Sequence, residues 1–154
     1  MMVGTYTLST VEYLPHDSGS RRAASWIADV LVELNGDLAV DHIGSTSIPG
    51  CWGKGIIDLL VQSHSGCLET ALVLLDRIAF QSQDAAEVFP ELRPDRVASV
   101  EYFGRRYRIH AHVFARGSEA ARDFVQFRDL LRSNICLRRA YEAEKGAILA
   151  RGTV

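Results

Sequence analysis

Asp58 lies inside an aliphatic run, Ile56-Ile57-Asp58-Leu59-Leu60. A lone carboxylate among large apolar side chains is costly unless it is paired. Further along, Arg108-Ile109-His110-Ala111-His112-Val113 alternates polar and apolar residues. In a strand, successive residues face opposite ways. Asp58 then shares a face with Ile56, Leu60 and Gln62, while Arg108, His110 and His112 share a face on their own strand. Two imidazoles at i and i+2 can converge on one divalent ion, and a carboxylate opposite them is either a third ligand or a general base. The plainer alternative is a structural carboxylate accepting loop N–H bonds, with one histidine buried and one exposed.

The third group is Gly44-Ser45-Thr46-Ser47, between two apolar runs. Small residues after a strand let backbone N–H groups approach a phosphate, and hydroxyls add donors. No GxxxxGK[ST] pattern is present, so this is not a Walker A loop. The alternative is a tight strand-to-helix turn with a capping serine. His42, just before this turn, is a further candidate for the histidine set, but it shares parity with Leu38 and Val40, which favours a packed core histidine.

These residues need a scaffold. Ala24, Ile27, Ala28, Leu31 and Leu34 recur at helical steps within Arg21–Asn35, and Asn35-Gly36 is a stop signal. Leu38–Ile43 and Ile56–Gln62 read as strands, the second apolar almost throughout and so central. Cys67–Phe80 reads as a helix, and Gln81–Asp95, with Pro90 and Pro94, as a loop in a position to lie over a site. Arg96–Phe103 and Arg105–Phe114 read as strands joined near Gly104. Ser118–Arg132, with Ser118 as N-cap, and Ile135–Ala150 read as closing helices. Residues 1–19 read as an extended N-terminal segment and 20–150 as one domain, of α/β (α+β) class with a mixed sheet.

The chain has 154 residues, 47% hydrophobic and 23% charged, with a net charge of −2, values ordinary for one soluble domain. A near-neutral chain carries no electrostatic signal for nucleic acid or membrane, although Arg105-Arg106-Tyr107-Arg108 and Arg138-Arg139 are local basic clusters. The three cysteines, Cys51, Cys67 and Cys136, form no CxxC pair, so neither a disulfide framework nor a thiolate zinc site is expected. No apolar run approaches the ~18 residues that span a bilayer. The first residues lack the basic and apolar regions of a signal peptide, and the expectation is a cytoplasmic protein.

Four blocks taken in order, HIGSTSIPG (42–50), KGIIDLLV (54–61), IHAHVF (109–114) and FRDLLR (127–132), resemble the GrpB family, within the nucleotidyltransferase superfamily. The resemblance covers roughly residues 20 to 150. GrpB-like domains occur alone and attached to some dephospho-CoA kinases. The resemblance implies a nucleotidyltransferase-like fold: a small mixed sheet with helices packed on one face and the site on the other. In active members of the superfamily, two carboxylates on one strand and a third on its neighbour hold two metals, and the Gly-Ser loop holds the phosphates. Here the second carboxylate position is Leu60, and a histidine replaces the third. Magnesium favours oxygen ligands, so this set suits zinc, manganese or iron better.

Two expectations compete. In one, the chain binds a nucleotide or other phosphorylated small molecule and transfers or hydrolyses it. Asp58, His110 and His112 are then catalytic and hold a divalent metal (Mg, Mn or Zn), Gly44, Ser45, Thr46 and Ser47 bind phosphate, and Lys54 and Arg108 neutralise charge. In the other, the chain is a binding or accessory module on a degraded scaffold, and Asp58 with the histidines forms a polar network that orders the loop. A protein-interaction role for the last helix, around Arg138-Arg139 and Tyr141–Lys145, is a distant third.

Overall fold

The computed structural model describes residues 1–6, 12–82 and 94–151. Residues 83–93, the greater part of the expected Gln81–Asp95 loop, lie outside the described residues. Five strands form one mixed sheet: β1 (Met2–Gly4), β2 (Ala39–Ile43), β3 (Ile56–Ser63), β4 (Arg96–Tyr102) and β5 (Arg105–Ala115), in the order β1-β4-β5-β3-β2. β3 runs parallel to β5 and antiparallel to β2, and β4 and β5 form an antiparallel hairpin. The hairpin turns at Phe103 (φ 47°) and Gly104 (φ 74°). Two positive φ values in a two-residue loop match the right-handed twist of the flanking strands. The four helices are α1 (Ser18–Leu34), α2 (Leu68–Arg77), α3 (Glu119–Ser133) and α4 (Ile135–Ala150).

The alternation in β3 decides where the core lies. Ile57, Leu59 and Val61 are fully buried with Ile109 and Ala111 of β5, against Ala23, Ala24, Ile27 and Leu31 of α1 and Ala71 and Leu75 of α2. The stripe on α1 follows the helical period. It stops short of Leu34, which is half exposed. On the opposite face, Ile43 and Leu60 pack with Ala121 of α3 and with Phe114, Phe124 and Val125. So α1 and α2 cover one face as expected, and α3 additionally covers part of the site face.

Three boundaries differ from the sequence reading. α1 begins earlier, because Asp17 caps it: its Oδ1 accepts from Gly19 N at 3.0 Å, and its Oδ2 accepts the Tyr107 hydroxyl at 2.8 Å. α2 ends earlier, because Ala79 takes a left-handed turn (φ 73°). Ala79 N bonds back to Asp76 O at 3.2 Å and Phe80 N to Leu75 O at 3.0 Å, a Schellman closure that turns Phe80 into the core beside Leu75. The N-terminal segment supplies an edge strand, with Met2, Val3 and Gly4 opposite Glu101, Val100 and Ser99. No described helix is long and apolar enough to cross a membrane.

Candidate functional site

Parallel pairing of β3 and β5 sets Asp58 beside His110 and Leu60 beside His112, and antiparallel pairing sets Ile43 on the other side of Asp58. All face away from α1. Asp58 Oδ1 lies 3.6 Å from His110 Nδ1 and 3.6 Å from His112 Nε2. The Asp58 side chain keeps about a quarter of its exposure, 26%, whereas that of His112 keeps only 8%. Burial works to raise the Asp58 carboxyl. The hydrogen bond from His112 and the charges of His110, His112 and Lys145 outweigh it, and the carboxyl sits below its ordinary range.

The Gly44 loop closes over this carboxylate. Gly44 has φ 69°, and a Cβ there would lie 2.3 Å from Asp58 Oδ2. Only glycine combines that backbone with so close an approach. A single 3-10 turn, Ser45–Ser47, follows. Ser47 donates from both N and Oγ to Gly44 O, at 3.1 and 2.7 Å. Thr46 Oγ1 donates to Ile56 O at 3.0 Å and lies 2.9 Å from His42 Nε2. Both hydroxyls are thus engaged, that of Ser47 within the turn and that of Thr46 between β2 and β3, and neither caps the turn. Ser45 differs: its Oγ receives Lys145 Nζ at 3.5 Å.

His42 faces the core with Leu59, as its parity implies. Because Thr46 Oγ1 donates onward, it accepts from His42 Nε2–H, and His42 Nδ1 is buried with no partner among the described residues. Burial drives this imidazole down to about 4; the Asp58 carboxylate opposes the fall, and Arg132, Arg128 and Arg21 add to it. A folded pKa below the unfolded 6.5 means that His42 costs nothing above pH 6.5 and destabilises progressively from 6.5 down to about 4, where the unfolded chain takes up a proton that the fold refuses. His42→Gln is expected to flatten this part of the stability profile. Urea midpoints between pH 7 and 4 measure it, and parallel profiles for the two proteins would count against it.

Several contributors come from α3, α4 and the N-terminal segment, far from the loop in sequence. Lys145, on α4, also donates to the Tyr141 hydroxyl at 2.9 Å. Arg132 holds Ser47 O through Nε (3.1 Å) and Nη2 (2.8 Å), Arg138 holds Pro49 O at 2.9 Å, and Arg128 bonds His42 O and Asp41 Oδ1, both at 3.2 Å. Arg132 and Arg138 clamp the loop from α3 and α4, and Arg128 holds the end of β2 that leads into it. The signal for Arg128 and Arg132 was their i, i+4 spacing in FRDLLR. Tyr6 reaches from beyond the edge strand to His110 Nε2, at 3.1 Å. Phe124 of α3 stacks on His112 with ring centroids 5.4 Å apart. Of the two expected cations, Arg108 sits on β5 beside Ile56, two residues before His110, and Lys54 lies half-buried between Gly53 and Gly55.

Asp58, His110 and His112 do come together, yet among the described residues no three or more His, Cys, Asp or Glu side chains are disposed to hold a metal ion. Both imidazoles address the same oxygen, Oδ1, and Leu60 is fully buried. One carboxylate oxygen shared by two nitrogens does not fit magnesium.

A family model described as GrpB protein matches residues 10–153. A UPF0157 protein of Streptomyces coelicolor is 33% identical over 119 residues, 77% of this chain and 59% of that protein. Another, from Halalkalibacterium halodurans, is 35% identical over 103 residues, 65% of this chain and 48% of that protein. The chain thus spans 59% and 48% of the length of these relatives. The crystal structure of conserved protein GrpB from Enterococcus faecalis shares the fold, with a TM-score of 0.67 and 23% identity over 93% of this chain and 86% of that one.

Proposed function

The chain belongs to the GrpB protein family, and from that premise we propose that it binds a nucleotide, or a related phosphorylated small molecule, at Gly44–Ser45 and transfers or hydrolyses its phosphate. One observation carries this reading: a partly exposed carboxylate flanked by two imidazoles at 3.6 Å lies directly against a glycine backbone, next to Ser45 and its lysine. An imidazole oriented by a carboxylate is a competent general base near neutral pH. In this role His110, held by Asp58 through Nδ1, takes the proton of an attacking hydroxyl or water at Nε2, in place of the Tyr6 hydroxyl that rests there. Lys145 and the Gly44–Ser45 backbone then balance charge building on the phosphate oxygens.

Asp58→Asn keeps the shape of the site and removes its charge. ATP and UTP are expected to raise the melting temperature of both proteins, with or without a chelator. Phosphate release is expected in the parent and to fall about 10²–10⁴-fold in the variant. Absence of any nucleotide-dependent shift in the parent would defeat the reading. Burial of Leu60 at the second carboxylate position favours one alternative, a module that binds without turnover. In that case both proteins bind nucleotide and neither releases phosphate.

A further inference from the structure

Trp52 is 44% exposed in a loop that is otherwise pinned. Its backbone N donates to Glu142 Oε1 at 2.8 Å. Its ring lies 5.6 Å from the Tyr13 ring at an interplanar angle of 35°. Tyr13 is fixed in turn: its hydroxyl donates to Glu142 O at 2.9 Å, and its ring sits where a Cβ on Gly146 would approach to 3.4 Å. The strand-like bridge between Leu14 and Gly53 ties both aromatic residues to the loop. Trp52 is therefore a preset surface, backed on one side and open on the other.

Its position relative to the anion site follows from Gly53. A Cβ on Gly53 would lie 2.1 Å from Ser45 Oγ, so the residue next to Trp52 is packed against the hydroxyl that Lys145 addresses. Consecutive Cα atoms are only about 3.8 Å apart. The same turn of α4 thus sets both features, Glu142 and Gly146 holding the aromatic pair and Lys145 pointing at Ser45. We infer that Trp52 is the base-stacking platform of this site, and that the phosphorylated ligand carries an aromatic base. The inference rests on the phosphate-binding reading of Gly44–Ser45 and narrows its ligand to nucleotides. An open indole face accepts any base, since stacking needs a π-face and not a hydrogen-bond pattern.

The test is calorimetric titration with ATP and, separately, with inorganic tripolyphosphate, on the parent, Trp52→Ala and Trp52→Phe. ATP binding is expected to weaken roughly tenfold or more in Trp52→Ala and much less in Trp52→Phe, with tripolyphosphate unchanged throughout. In a Trp26→Phe background, ATP is expected to quench the remaining indole fluorescence and tripolyphosphate to leave it. Unchanged ATP affinity in Trp52→Ala, with tripolyphosphate still bound, overturns the platform and leaves the phosphate site standing. Equal weakening of both ligands overturns it too, since Trp52 would then only brace the loop. If the parent binds neither ligand, the phosphate site falls and the platform with it.

Discussion

Leu60→Asp, which restores the carboxylate that the resemblance places two residues after Asp58, is expected to cost about 4–6 kcal/mol of stability and to create no magnesium site. Leu60 is fully buried: it packs with Ile43 and Ala121 under α3 and has no solvent contact. Losing a buried leucine side chain costs about 2–5 kcal/mol by itself. Burying a carboxylate there adds a desolvation penalty of several kcal/mol, offset only in part by His112, its neighbour across the parallel ladder. Urea denaturation of Leu60→Asp beside Leu60→Ala separates the two contributions. The aspartate variant should be the less stable, and magnesium or manganese should not recover the difference. Metal-dependent recovery would mean that position 60 is a ligand position held shut by leucine, and that the family scaffold is poised for the two-metal arrangement.

Gly44→Ala is expected to abolish nucleotide binding and to cost about 2–5 kcal/mol. The added Cβ would sit 2.3 Å from Asp58 Oδ2 and 3.0 Å from its Cγ, so the carboxylate or the loop must move. With φ 69° and ψ −178°, Gly44 sits in a region that essentially only glycine occupies, which adds about 1–3 kcal/mol for an L side chain, and relieving the overlap adds at least about 1 kcal/mol. The carboxylate is the mobile partner, and moving it takes Asp58 away from both histidines. Thermal melts in the presence of ATP, set against Gly50→Ala, check this. Gly50 also has positive φ (75°), yet a Cβ there would meet nothing within 4 Å. It reports the backbone cost alone. Similar losses in the two variants would show that the contact with Asp58 has no consequence.

Much of this arrangement was legible from local pattern. Alternation in Ile56–Gln62 and Arg108–Val113 put Asp58, His110 and His112 on the face opposite the aliphatic core, and parity put His42 on the core side. Ser118 was visible as a cap because a serine before a helix has one well-defined partner, here Ala121 N. The end of α2 was not visible, because its closure uses Ala79 in a conformation that glycine ordinarily signals. Nor was the edge strand: three residues, Met2–Gly4, carry too short a pattern to announce a partner that lies almost a hundred residues away.

Which residues share a face follows from local pattern alone, since side-chain direction in a strand depends only on backbone geometry within two residues. The family follows from the sequence too, through four blocks in order. Tertiary structure decided everything that depends on distance between elements. It spent Ser47 on closing its own turn and Thr46 on tying that turn to Ile56 and His42, and left Ser45 to Lys145. It brought Tyr6 to His110 across 104 positions and Arg132 to Ser47 across 85. It buried Leu60, at the position where the resemblance places a second carboxylate. Such contacts are set by how the sheet pairs and how α3 and α4 fold back over it. A long polar side chain has the same composition and the same neighbours in sequence whether it ends in water or on a loop carbonyl.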